Sequence, residues 1–246
     1  KSGDVDPEAE LKAFVEALSQ SGNSVLSEAE QIACRFPART LWVLDHFPEL
    51  KKPIASCPKF QGWLNVSQAQ GVTLIFSSYF INSPSSMMGH TFLRLRRGKK
   101  DSSPLLDKAV NFAAEPTTEN PLFYTFMGLT VSFPGFFSLT PYYSKVQEYA
   151  NAESRDLWEY DLNFSPAETQ RMLFSLWEVA PHRIDYYFFD ENCSAILVYL
   201  LQNARPGLEL SPDLGMAFVH PSDTLRSLMD KPGLVSGIGF RPSNRS

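Results

Sequence analysis

The sequence predicts an α+β fold in which helices come first and a mostly antiparallel sheet, interleaved with further helices, follows. Three observations carry this expectation. Apolar residues recur at helical spacing in the first part of the chain, residues 1–65. From Val72 the pattern changes to short runs rich in β-branched and aromatic residues. Helix-start signatures then return between those runs, at Ser165 and near Cys193.

Taken in order, Asp6 is placed to cap a helix whose first turn holds Pro7, with Leu11, Phe14, Val15 and Leu18 as its apolar stripe. Ser27 and Glu30 fit a capping box for a second helix, and Arg39 to His46 reads as a third, ending before Pro48. Residues 1–65 are therefore expected as an N-terminal helical region and 66–246 as the main domain. Val72 to Phe80 reads as a strand. His90 to Arg97 alternates, with Thr91, Leu93 and Leu95 on one face and His90, Phe92 and Arg94 on the other. Ala109 to Ala113 and Leu157 to Leu162 are two further short strands. Ser165-Pro166-Ala167-Glu168 is a capping box with proline at the first helical position, and Met172, Leu173, Leu176 and Trp177 form the stripe behind it. A helix starting near Cys193 presents Ile196, Leu197, Leu200 and Leu201 and stops at Pro206-Gly207; a last short helix starts at Ser222 or Asp223.

A chain of 246 residues, 43% apolar and 20% charged, can bury a real core and is too apolar to remain disordered. The formal charge of −5, with Arg94, Arg96, Arg97, Lys99 and Lys100 as the densest basic block, argues against a nucleic-acid partner. Apolar runs such as Ala195 to Leu201 fall far short of the ~20 residues that span a bilayer, so a soluble globular protein is expected. Lys1 in place of an initiating methionine favours an exported protein, as does the cysteine count. Cys34 and Cys57 share one Pro-containing stretch and Cys193 stands alone, which is the arithmetic of one bridge and one free thiol; three unrelated buried cysteines are the alternative.

Candidate chemistry centres on Cys193. It lies where the polar Asp190-Glu191-Asn192 gives way to a helix, so unpaired N–H groups and the helix dipole would favour a thiolate and hold an oxyanion. The neighbouring carboxylates act in the opposite direction unless turned aside as caps. A small apolar residue filling space under a helix is the alternative. His90, at the start of a strand after the turn Ser83-Pro84-Ser85-Ser86-Met87-Met88, is the candidate base. Asn111 in the next strand would orient it, with Glu115 as the second choice. His46, His182 and His220 each sit beside a proline or helix end and read as turn or cap residues. A zinc site from Cys34, His46 and Cys57 is rejected because the spacing matches no familiar ligand pattern and a fourth ligand is not evident. Neither a metal nor another cofactor is expected. Phe123 to Tyr143 is dense in aromatic residues and broken by Gly128, Pro134, Gly135 and Pro141. It reads either as a lid or apolar groove wall, including a membrane-facing one, or as a satellite core under a loop.

Taken together, these blocks resemble the periplasmic domain of the Lnb-type lipoprotein N-acyltransferases. The landmarks are Cys34-Arg35-Phe36-Pro37-Ala38-Arg39, Asn82 through Arg94 around His90, Arg155-Asp156-Leu157-Trp158-Glu159-Tyr160, and Tyr187 through Ser194 around Cys193. The resemblance covers the chain roughly from Cys34 to Arg226. It implies a circularly permuted papain-like (NlpC/P60-type) fold, with the His strand before the Cys helix, and a periplasmic or cell-envelope location in bacteria. It implies Cys193 as nucleophile, His90 as base and, less directly, Asn111 as the orienting residue. Members of the lipoprotein-modifying branch are expected to carry membrane-spanning segments after this domain.

The expected function is thiol-dependent acyl transfer through an acyl-thioester, with a phospholipid or lipoprotein as donor or acceptor and peripheral membrane contact. The residues expected to touch substrate are Ser85 and Ser86 of the turn, Phe133, Phe136, Tyr142 and Tyr143 of the aromatic stretch, and Tyr187 and Asn192 before the cysteine. Two alternatives stand beside it: a cysteine amidase or peptidase on peptidoglycan stems, whose groove would be polar, and a non-enzymatic lipid- or lipoprotein-binding module in which Cys193 is structural.

Overall fold

The structure is a computed structural model that describes residues 6–20, 27–28, 31–50, 56–80, 88–98, 103–115, 133–187, 192–210 and 219–244. The chain divides into two compact units, 1–66 with 173–179, and 67–172 with 180–246.

The first unit is helical: α1 (Pro7–Gln20), α2 (Ile32–Arg35), α3 (Pro37–His46) and α4 (Pro58–Ser67). Asp6 Oδ1 accepts the Ala9 N–H at 3.0 Å, the cap expected from the sequence. Phe14, Leu18 and Val43 form its buried centre, with Ile32 and Phe36 packed against it. The second helix is a single turn because Pro37 cannot continue it and instead opens α3 at its first position. Glu30, half of the expected capping box at Ser27, lies outside the described residues. Cys34 and Cys57 form a disulfide with a Cα–Cα distance of 5.4 Å, joining α2 to the residue before α4. The Trp177 indole N–H donates to the Cys34 carbonyl at 2.9 Å, and Phe60 packs on Phe174 and Trp177.

The second unit is built on a seven-stranded, wholly antiparallel sheet of order β6-β4-β3-β2-β1-β5-β7. The strands are β1 (Ala69–Ser77), β2 (His90–Arg97), β3 (Lys108–Ala114), β4 (Phe133–Pro141), β5 (Leu157–Leu162), β6 (Ile184–Tyr186) and β7 (Val235–Arg241). Four were expected. The alternation read in β2 does not separate a wet face from a dry one, because its residues from His90 to Leu95 are all buried. One face carries α5 (Tyr142–Val146) and the π-helical turn Gln147–Ala152, whose Tyr142, Tyr149 and Ala150 pack on Ile75, Phe92 and Leu157. The other face receives α7 (Cys193–Ala204).

The aromatic stretch is corrected in part. Residues 116–132 lie outside the described set, but Phe133–Pro141 is a paired strand rather than a loop. Pro134 and Gly135 hid it. The glycine is required there, since a Cβ would stand 2.5 Å from the Phe112 ring. β6 is three residues long, and β7 carries Gly237 and Gly239 at strand-interior positions, so both escape propensity reasoning.

α6 (Pro166–Val179) opens on the capping box foreseen: the Ser165 hydroxyl accepts the Glu168 N–H at 3.2 Å and Glu168 Oε2 accepts the Ser165 N–H at 2.7 Å. α8 (Pro221–Met229) is capped by His220, whose Nδ1 accepts the Ser222 N–H at 3.1 Å. Among the described residues, no helix is long and apolar enough to cross a membrane.

Candidate active site

α7 begins at Cys193 because Asn192 stops the chain from winding earlier. Its backbone is extended, and its Oδ1 accepts the N–H groups of Ser194 and Ala195 at 3.0 and 3.4 Å. The other end of the amide donates to the Val219 carbonyl at 2.6 Å. The thiol is thus delivered from the first helical position. Buried beside it are Phe112, Phe133 and Tyr186, with Ala114, Phe137, Ile184 and Ile196 half-buried around them.

His90 opens β2 after Gly89, whose φ of +95° places it in the left-handed region and whose missing side chain leaves room for the Phe76 ring. The imidazole Nε2 lies 2.6 Å from Asn111 Oδ1. A carboxamide oxygen only accepts, so Nε2 carries the hydrogen and Nδ1 is left for the sulfur. His90 and Cys193 share a hydrogen bond and a charge attraction. Burial pushes the thiol up, but the His90 charge, the His90 hydrogen bond and two donors from Thr91 outweigh it and bring Cys193 down to about 6. Burial acts to lower His90, and the charge and hydrogen bonds of Cys193 with the Asn111 contact raise it net. The arrangement is that of a thiolate–imidazolium pair. Arg155, 1% exposed, opposes it from behind Tyr149: the guanidinium lies 5.0 Å from the Tyr149 ring, and that ring 5.8 Å from the imidazole.

The structure therefore gathers Cys193, His90 and Asn111. Glu115 follows the end of β3, where its N–H pairs with the Pro134 carbonyl, and it is Asn111 that meets the ring. Of the expected substrate contacts, Phe133 is buried against Cys193, and Tyr187 is half-buried directly after β6. Phe136 is partly exposed on the opposite face of β4 from Phe133, and Tyr143 is exposed on α5. Ser85 and Ser86 lie outside the described residues.

Two of the expected contacts also have a place in the fold. Tyr142 is fully buried, donates its hydroxyl to Glu159 at 2.7 Å and lies under the Arg94 guanidinium, so it holds the sheet to α5; burial and Glu159 push its hydroxyl well above the usual tyrosine value. Asn192 spends both ends of its amide on the helix cap and Val219, which makes it a positioning residue. The same cap narrows the expected oxyanion donors. Ser194 and Ala195 are taken by Asn192 Oδ1 and Ile196 by its carbonyl, leaving the Cys193 N–H, which has no partner among the described residues.

The sequence assigns no role at the site to Thr91, Ser194, Tyr149 or Arg155. Strand alternation turns Thr91 away from His90, so the sequence gives it no part in the pair. Both residues nevertheless reach the sulfur, which sits at the beginning of β2.

Residues 59–231 match the family described as the Lnb N-terminal periplasmic domain. The chain belongs to that family. The Lnb match spans His90, Asn111 and Cys193, and residues 1–46 match a separate domain of unknown function (DUF7843). No curated protein and no solved structure matches the chain. As an Lnb domain it is a bacterial cell-envelope protein of the periplasm, an oxidising compartment in which the Cys34–Cys57 bridge persists.

Proposed function

We propose that this Lnb domain is a cysteine acyltransferase that forms a fatty acyl-thioester on Cys193. The observation that carries the reading is the surroundings of the nucleophile: a thiol paired with an Asn-oriented imidazole lies against Phe112, Phe133, Tyr186, Phe137 and Ile196. A peptidase or amidase acting on peptidoglycan stems would use the same pair but recognises its substrate through polar groups along the groove, where this cluster is aromatic and aliphatic.

The Cys193 thiolate attacks the carbonyl carbon of a phospholipid or lipoprotein ester. The C–S bond forms while the Cys193 N–H donates to the oxyanion, and His90 gives its Nδ1 proton to the departing alkoxide. An amine of the acceptor lipoprotein then adds to the thioester. His90 takes the amine proton, the C–S bond breaks, and the thiolate is restored. A strand-borne histidine preceding a helix-borne cysteine, with the orienting Asn on the adjacent strand, supports a permuted papain-like arrangement within the α+β fold.

Incubation with vesicles of acyl-labelled phospholipid, followed by intact-protein mass spectrometry, tests the reading. One acyl adduct on the wild type and none on Cys193→Ala is expected. Absence of the adduct, or an equal adduct on the variant, overturns it, and Cys193-dependent cleavage of cell-wall fragments without a lipid effect would establish the amidase instead.

A further inference from the structure

The sulfur of Cys193 has hydrogen-bonding neighbours besides His90. Thr91 is fully buried, and its hydroxyl oxygen lies 3.8 Å from Cys193 Sγ and 3.1 Å from the hydroxyl of Ser194, which is fully buried in the first turn of α7. β3 pairs with β2 only from Leu93 onward, so Thr91 lies beyond the end of that ladder. Two hydroxyls and a sulfur thus stand in a row beside the aromatic cluster of Phe112, Phe133 and Tyr186.

The direction of this row follows from counting hydrogens. A hydroxyl carries one hydrogen, and a thiolate can only accept. With the sulfur ionised, the Thr91 hydrogen points at Sγ, so the contact between the two hydroxyls is donated by Ser194. The opposite direction would take a donor away from a buried anion that has few others, and such a group is costly to leave unpaired.

We propose that Thr91 is a further catalytic residue, its hydroxyl oriented by Ser194 so that the two act as a relay that stabilises the Cys193 thiolate. This deepens the proposed function and rests on Cys193 being the nucleophile. The relay acts at both ends of the reaction. It holds the resting anion before attack, and its grip weakens once the sulfur is acylated, because a thioester sulfur carries no charge to receive the hydrogen. It strengthens again as the C–S electron pair returns to sulfur and the acceptor's proton passes to His90. Sulfur is therefore a better leaving group with the relay than without it.

The test needs neither substrate nor a reagent that must reach a buried sulfur. Cys34 and Cys57 are bridged, so Cys193 is the free cysteine, and the ultraviolet absorbance of a thiolate reports it alone in a pH titration. The wild type is expected to titrate near 6. Thr91→Val keeps the shape of the side chain and the backbone N–H but removes the hydroxyl; it is expected to raise the midpoint by about one pH unit. Thr91→Ser restores the hydroxyl and should titrate like the wild type, and Ser194→Ala should shift upward by less than Thr91→Val. A wild-type midpoint in Thr91→Val, while His90→Ala titrates higher, overturns the relay and leaves the Cys193–His90 pair standing. A midpoint unmoved in His90→Ala overturns the pair itself, and the relay with it. Should Thr91→Val not fold, Ser194→Ala decides the matter: an unchanged midpoint there overturns the relay.

Discussion

The imidazole of His90 donates its Nε2 hydrogen to Asn111 Oδ1 across 2.6 Å, between neighbouring strands β2 and β3. The bond fixes the ring's tautomer and its rotation together. It presents Nδ1 to the Cys193 sulfur in every ionisation state of the pair, because the amide oxygen cannot give a hydrogen back.

Asn111→Ala is accordingly expected to lower acyl transfer on the order of ten- to a hundredfold by letting the ring turn. The thiol itself remains, so Cys193 in this variant should still be alkylated, with a higher midpoint in pH. Equal transfer rates for variant and wild type would remove Asn111 from the mechanism.

The pair also sets a pH window. Unfolded, the thiol titrates at its ordinary 9.0 and the imidazole at 6.5; folded, the thiol falls to about 6 and His90 rises. The Cys193 contribution is complete above the unfolded value and is lost as pH falls through about 6. The His90 contribution is complete below 6.5 and is lost as pH rises through its raised folded value. From 6.5 up to the raised folded value of His90, or to 9.0 where that comes first, folding merely moves a proton from sulfur to ring, so the stability that the pair adds is level there and declines as pH falls through about 6. The Tm difference between wild type and Cys193→Ser should follow that plateau, as should the transfer rate; a difference that rose steadily with pH would contradict the ion pair.

Tyr142→Phe separates a core role from substrate contact. The hydroxyl bonds Glu159, a carboxylate also held by Arg94 at 2.6 Å, so its loss should cost about 1–2 kcal/mol of stability. KM for the acyl donor should stay as in the wild type, and a change in KM with unaltered thermal unfolding would return Tyr142 to the binding surface.

How far the sequence reveals this molecule depends on where the physical signal is local. Asp6 and Ser165 announce helix starts through their own side chains, and the structure shows those bonds. Alternation locates β2 but not its burial, because coverage of both faces is a property of α5 and α7, not of His90 to Arg97. β7 owes its pairing to β5, in register from Arg241 to Gly237 and shifted by one before Val235, and its glycines give no hint of it. In the site, Cys193 and His90 stand out because few such residues exist, whereas Thr91 is one polar residue among many until α7 lies against it. The burial of Tyr142 is hidden for the same reason: an aromatic ring looks alike in a groove wall and in a core.

Asn192 is expected to act through the helix it starts. Asn192→Ala removes the oxygen that caps Ser194 and Ala195 and the donor to Val219, and should cost about 1–2 kcal/mol. Asn192→Asp keeps the capping oxygen and loses only the donor, so chemical denaturation should rank wild type, then Asp, then Ala. If the Ala variant were as stable as the wild type, α7 would not depend on this cap.

The Cys34–Cys57 bridge bears on the helical unit alone. That unit has a small buried centre, Phe14, Leu18 and Val43, and one of its helices is a single turn, so the bridge is a large share of what restrains it. Closing a loop with a sequence separation of 23 removes about 3 kcal/mol of unfolded-chain entropy in the loop-closure model. Replacing both cysteines by serine should therefore speed amide hydrogen exchange in α1, α2 and α3 by roughly a hundredfold. Exchange in β1 and β2, and the pH midpoint of the Cys193 thiolate, should not move, since those residues belong to the other unit. Unchanged exchange in the three helices would show that their packing, not the covalent link, holds the unit together.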